Sequence, residues 1–339
     1  VELIGDGPGA VGFSRAQPIS IWAVSDGRAG IAAQALGLAE SVARRTNAVV
    51  TVKTVSLRSP WSWLHPGLVP APLQALSVGS DALSPPWPDL WIACGRQSIP
   101  FSMGVRGWSR GKTLTVQVQD PRINPREFDI VVPPLHDGLE GQNVWPTLGA
   151  VHRVTPQRIA DEAMRFPQDL AALPGPRVAV LIGGKSKRQG ISGKRAALIS
   201  RALVALKEDE GGSLLVTLSR RTGAAARRAF AETLKPAADL YYDAEGPNPY
   251  FALLAAADAI CVTADSVNMA AEACATGKPV LILPVDGDPG KLDTFHQGLV
   301  ERGCARPFLG VLERWTYEPL LEADRIARRL VEAMAARMG

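Results

Sequence analysis

Residues 261–284 read CVTADSVNMAAEACATGKPVLILP, and the stretch parses as strand, tight loop, helix, turn and strand. Within it Val267, Ala270, Ala271 and Cys274 recur at i, i+3, i+4 and i+7, the apolar stripe of a helix laid on a sheet. Asp265, Asn268, Glu272 and Thr276 line the opposite face, beginning at the helix N-terminus. Asp265 or Ser266 is placed to cap that end, while Gly277 and Pro279 stop the helix. A helix that opens at the carboxyl end of a buried strand offers backbone N–H groups to an anion. The same pattern also describes an ordinary βαβ unit whose polar side faces water.

Outward from this stretch the chain keeps alternating short β-branched runs with amphipathic ones, the rhythm of doubly wound α/β domains. Strands are predicted at 19–24, 49–55, 90–93, 113–118 and 129–132, with helices at 30–45, 72–78 and 98–110. After a helix at 156–165, Pro167 and the Pro174-Gly175-Pro176 cluster read as an interdomain linker. A second run has strands at 178–182, 213–218, 240–242, 259–263 and 280–284. Its helices fall at 192–208, 223–234, 249–256, 266–275 and 290–302, and a last helix covers about 317–336. The expected architecture is α/β, with two Rossmann-like domains facing a cleft and the C-terminal helix crossing back to the first. The boundaries are a disordered leader at 1–17, a first domain at 18–155, a linker at 156–176, a second domain at 177–312 and the closing helical segment at 313–339.

Length and composition agree with that plan. A chain of 339 residues favours two domains, each large enough for its own core. The net charge of +4 is too small and too dispersed to favour nucleic acid as a partner. Cys94, Cys261, Cys274 and Cys304 are far apart, and three sit in apolar runs, so free thiols in a reducing, cytoplasmic setting are expected. No apolar run approaches membrane-spanning length and no signal peptide is visible. Between residues 59 and 88, Trp61, Trp63 and Trp87 sit among prolines. This surface excursion either packs its aromatics beneath itself or touches a membrane or an acceptor.

Chemistry in such sheets is sought in the strand-to-helix loops. In the first half Asp26, Asp120 and His136 are the candidate general bases, His136 beside Asp137. The alternative reading makes Asp26 and Asp120 turn residues, each preceding a Gly or Pro. The second half holds two basic loops after successive strands: Gly183-Gly184-Lys185-Ser186-Lys187-Arg188, then Ser219-Arg220-Arg221-Thr222. Glycines let backbone approach a ligand, and guanidiniums grip phosphate oxygens. With Asn248, Tyr250, Asp265, Ser266 and Glu272 they outline a pocket with cations for a diphosphate and a carboxylate for hydroxyls. No metal site is expected: the four histidines are scattered, and Asp286-Gly287-Asp288 reads equally as a polar loop. The absence of GxGxxG after the first strand argues against dinucleotide use.

Two nested resemblances follow from these residues. The half from Arg177 onward resembles the donor domain of GT-B glycosyltransferases, with Glu272 at the place of the ribose-binding glutamate and Gly277-Lys278-Pro279-Val280 at the following turn. More narrowly, SDGRAG with Gln34, QDPR, PLHD with Asn143, LIGGKSK, TLSRRT, the run from Gly246 to Val280, and Lys291 with Phe295 resemble the mitochondrial-fission family named for the plant "elongated mitochondria" protein. These resemblances imply a nucleotide-diphosphate sugar, of UDP type, as ligand and metal-independent glycosyl transfer to an unknown acceptor as activity. They leave open a nucleotide-sugar 2-epimerase, and an adaptor with a protein partner that works at a membrane surface without catalysis.

Overall fold

The computed structural model describes residues 2–4, 17–166, 168–186 and 188–338, and these fall into two units, Val1–Arg153 with Leu321–Gly339, and Val154–Leu320. Of the expected leader, residues 1 and 5–16 lie outside the described residues, while β1 (Glu2–Ile4) is an edge strand.

In the first unit follow β2 (Ile19–Ser25), α1 (Ala29–Ala43), β3 (Ala48–Thr54), β4 (Leu90–Cys94), α2 (Ile99–Trp108), β5 (Leu114–Val118) and β6 (Ile130–Val132). The sheet order is β1-β3-β2-β4-β5-β6, parallel except for the antiparallel β1. Every residue of β4 and β5 is buried, as a strand covered on both faces requires. One face is covered by α1 and the last helix, Glu322–Met338, whose Ala323, Ile326, Ala327, Leu330, Val331 and Met334 are all buried. That spacing is one helical stripe. The other face holds Trp91, Phe101 and Val105, with Trp22 wedged between Trp87 and Trp91 at ring separations of 6.0 and 5.7 Å. Trp61 packs against this cluster, whereas Trp63 is 79% exposed. The excursion 59–88 is a series of short 3-10 turns, and the helix expected at 72–78 is one of them, Pro72–Ala75.

The second unit opens with α3 (Pro156–Arg165), capped by Thr155 and packed on α6, so the stretch read as a linker carries an element of this unit. Then come β7 (Arg177–Ile182), β8 (Gln189–Gly190), α4 (Gly193–Glu210), β9 (Ser213–Leu218), α5 (Ala224–Thr233), β10 (Leu240–Tyr242) and α6 (Tyr250–Ala256). The unit continues through β11 (Ala259–Thr263), α7 (Val267–Cys274), β12 (Val280–Leu283), β13 (Asp286–Gly287), α8 (Lys291–Glu301) and β14 (Ala305–Pro307). Its main sheet is wholly parallel in the order β10-β9-β7-β11-β12-β14. Counted within the unit this is 3-2-1-4-5-6, the doubly wound order whose direction reverses between β7 and β11. The four cysteines are buried free thiols.

Candidate functional site

At the reversal between β7 and β11, the loops that follow the two strands lie against each other. Gly183 N–H donates to Thr263 Oγ1 at 2.8 Å, and Gly184 N–H to Asp265 Oδ2 at 2.6 Å. A Cβ on Gly183 would stand 2.2 Å from Asp265 Oδ2, and one on Gly184 2.3 Å from the Arg221 carbonyl carbon. Glycine is therefore required at both positions for the three loops to meet. The loop after β9 joins them: Lys185 N–H donates to the Arg221 carbonyl at 3.2 Å, and Thr222 Oγ1 donates to the Gly183 carbonyl.

Around this turn Lys185, Arg220 and Arg221 are exposed, and no described protein group pairs with their cationic ends. Lys187 lies outside the described residues. Arg188 faces Asp288 at 3.4 Å, and Asp286 accepts from Ser192 N–H and Arg195 Nε. The acidic pair of the Asp286-Gly287-Asp288 loop thus has basic partners, and among the described residues no group of three or more His, Cys, Asp or Glu could hold a metal ion.

Asp265 is 5% exposed. Burial raises its carboxyl above the usual carboxylate range, opposed by hydrogen bonds from Thr263 and Gly184 and by the charge of Arg221. Its Oδ1 is buried without a hydrogen-bond partner. Ser266, next in sequence, is the N-cap of α7, and its Oγ accepts from Met269 N–H at 3.4 Å. One turn along α7, Glu272 accepts a hydrogen bond from the Tyr250 hydroxyl. Burial pushes Glu272 up to about 7 against the pull of Tyr250 and of Arg158, which itself lies over the Phe251 ring. Asn248 is exposed, and its side chain accepts from Tyr250 N–H at the start of α6.

His296, which no sequence pattern singles out, also belongs to this neighbourhood. Its Nε2 lies 2.8 Å from the Ala264 carbonyl, which can only accept, so the proton sits on Nε2. The remaining Nδ1 is buried without a partner, and burial lowers the imidazole's basicity. The contact spans 32 residues, beyond the reach of local spacing.

In the first unit each candidate aspartate is tied to an arginine two residues on. Asp26, with a side chain 2% exposed, takes Arg28 Nη2 at 2.7 Å and Nε at 3.1 Å. Asp120 accepts from Arg122 N–H at 2.8 Å and pairs with its Nη1 at 3.1 Å. Both therefore act as turn residues that hold a guanidinium in place. His136 sits in a short turn, Leu135–Asp137, outside the cavity that Asp120 lines. The structure groups Gly183, Gly184, Lys185, Arg221, Asp265 and Ser266 around one turn, while Tyr250 at the start of α6 and Glu272 on α7 form a second pair.

The family model described as Mitochondrial fission ELM1 matches residues 29–334. The mitochondrial fission protein ELM1 of Arabidopsis thaliana is 33% identical over 277 residues, covering 74% of this chain and 65% of the plant protein, so part of that relative has no counterpart in the match. An uncharacterised protein of Rickettsia prowazekii (strain Madrid E) is 25% identical, covering 91% of this chain and 97% of its own length. Among solved structures, UDP-GlcNAc 2-epimerase from Neisseria meningitidis, bound to UDP-GlcNAc, is similar with a TM-score of 0.55 at 12% identity, covering 94% of this chain and 100% of that one. At that identity the likeness defines the fold, which is GT-B-like.

Proposed function

Because the chain belongs to the mitochondrial fission ELM1 family and has this GT-B-like fold, we propose that its second unit binds the diphosphate of a nucleotide sugar at the reversal between β7 and β11. The observation that carries the reading is the set of three exposed cations, Lys185, Arg220 and Arg221, none in an ion pair among the described residues, on two loops that meet a glycine turn beside the start of α7. Parallel sheets bind ligands at this place, and cations beside a helix N-terminus favour phosphate. Glu272 and Tyr250 offer a carboxylate and a hydroxyl to a ribose. UDP-GlcNAc in the Neisseria protein makes a UDP sugar the first ligand to try.

On this reading the activity is glycosyl transfer, with the charge that develops on the leaving diphosphate stabilised by the two basic loops and the α7 dipole. Asp265 sets a condition on binding, since its carboxylate already takes the Gly184 N–H. A diphosphate is received once that side chain is protonated or turns aside.

A thermal-shift screen with UDP, GDP, dTDP and their sugars tests the proposal. Ligand at a hundredfold excess over its dissociation constant adds about 2.7 kcal/mol of stability. The expected result is a shift with one nucleotide that Arg220→Ala and Arg221→Ala together abolish; a flat panel, or a shift indifferent to both changes, overturns it. Transferred sugar identifies a transferase and isomerised sugar a 2-epimerase. A flat panel favours the second reading, a recruitment protein without catalysis in a family described by mitochondrial fission.

A further inference from the structure

The first unit has its own reversal of strand order. In β3-β2-β4-β5-β6 the direction changes between β2 and β4, and ligands of open α/β sheets bind outside the carboxyl ends of the strands at such a point. The loops after β2, β4 and β5, with His65 and Pro66, enclose a cavity of about 310 Å³ there, enough for one small molecule. We infer that this cavity is a second binding site, independent of the one in the second unit, and that it takes the oxyanion end, phosphate or carboxylate, of a small molecule.

Charge is the first support. The lining includes three arginines, Arg28, Arg96 and Arg122, with His65, against one acidic residue, Asp120. Even with Asp26 counted, two aspartates face three arginines. Each arginine is held in a fixed pose. Asp26 grips Arg28, Asp120 grips Arg122, and the carbonyls of Ser62 and Leu64 accept from Arg96 Nη1 and Nη2 at 2.9 and 2.6 Å. Those bonds leave Arg28 Nη1, Arg96 Nε, and Arg122 Nε and Nη2 without a described partner. Pre-positioned guanidinium donors of this kind match an oxyanion.

Helix ends supply the second support. Arg28 is the N-cap of the fifteen-residue α1, and the ten-residue α2 starts at Ile99, also in the wall. Neither helix has a side-chain N-cap bond or an acidic residue in its first turn. At the α1 end the Asp26 carboxylate accepts from Arg28 N–H at 3.3 Å and complements part of that dipole, whereas α2 continues from the turn Arg96–Ser98, which holds no acid. Ile31, Ile99 and Val118 form an apolar wall, which suits a ligand whose remainder is a carbon chain or ring. Gly95 has φ +98°, and a Cβ there would stand 2.8 Å from both Asp26 and Ile31, so this side of the cavity admits no larger residue.

The full chain is titrated by calorimetry with inorganic phosphate and, separately, with succinate. Three variants accompany it. Arg122→Asn keeps a residue that tolerates φ +59° and removes the guanidinium. Ala29→Asp places a carboxylate in the first turn of α1, which favours the helix but repels an anion. Arg221→Gln, which removes a cation of the site proposed in the second unit, separates the two sites. The expected result is a component of binding to one of the two anions that either first-unit change weakens about tenfold or more and that persists in Arg221→Gln. Preference for phosphate points to a phosphorylated ligand and preference for succinate to a carboxylated one. No binding of either anion at tens of millimolar, binding unchanged in both first-unit variants, or binding lost only with Arg221→Gln overturns the inference.

Discussion

At residue 265 a carboxylate sits where a phosphate oxygen would compete for the same N–H. Asp265 is buried, bonded to Gly184, and raised above the ordinary carboxylate range by that burial. Asp265→Asn keeps the shape and removes the charge, so UDP affinity at pH 8 should rise about tenfold, a modest fraction of the Coulomb term at contact distance. The wild-type chain should bind more tightly as pH falls, because a protonated Asp265 no longer repels, and the variant should lose that component. Equal or weaker binding by Asp265→Asn in calorimetry would sink the idea. Glu272 gives a stability test. Its carboxyl ionises near 4.5 when unfolded and at about 7 when folded, so the stabilisation is fully present below 4.5 and lost as pH rises through 7. Chemical denaturation should show a loss on the order of 2–3 kcal/mol across that window, absent in Glu272→Gln. The sequence shows that Asp265 or Ser266 opens a helix. It does not show that Ser266 takes the cap and Asp265 turns to a glycine 81 positions away, because that division is made by tertiary contact.

Among the elements, those with a long periodic signature are legible and the short ones are not. Residues 213–218, 240–242 and 259–263 are strands as their β-branched and aromatic content predicts, and α1 departs from its expected bounds by only one or two residues. The ribbon of β8 with β13 rests on two residues in each strand, too few for any alternation to register. β14 ends in Pro307 and lies on the sheet edge, where the missing N–H costs no ladder bond. The last helix begins at Glu322, five residues after its expected start, because Pro319 precedes it and a proline restricts what comes before. Its apolar stripe is what closes the α1 face, with Leu330 at 0% exposure. Leu330→Ala should cost about 2–5 kcal/mol by urea denaturation, whereas Arg328→Ala, on the same helix, should stay within about 0.5.

For the molecule as a whole, alternation of strand and helix reveals two α/β units. Sheet order depends on which way each crossover turns, and no residue pattern here encodes that. The second unit is one continuous segment, residues 154–320, whereas the first needs chain from both sides of it. A fragment of 154–320 should therefore unfold cooperatively on its own in denaturant. A fragment of 17–153, lacking the last helix, should bind a hydrophobic dye and aggregate. Cooperative unfolding of 17–153 would refute the assignment of that helix as a necessary part of the core. The same division sets an order on synthesis. Ribosomes add roughly 5–20 residues per second, so the apolar face of α1 waits about 15 to 60 seconds before Glu322–Met338 is made. The later-encoded unit is thus complete before the earlier one, and the waiting face is where a chaperone would be needed on the nascent chain.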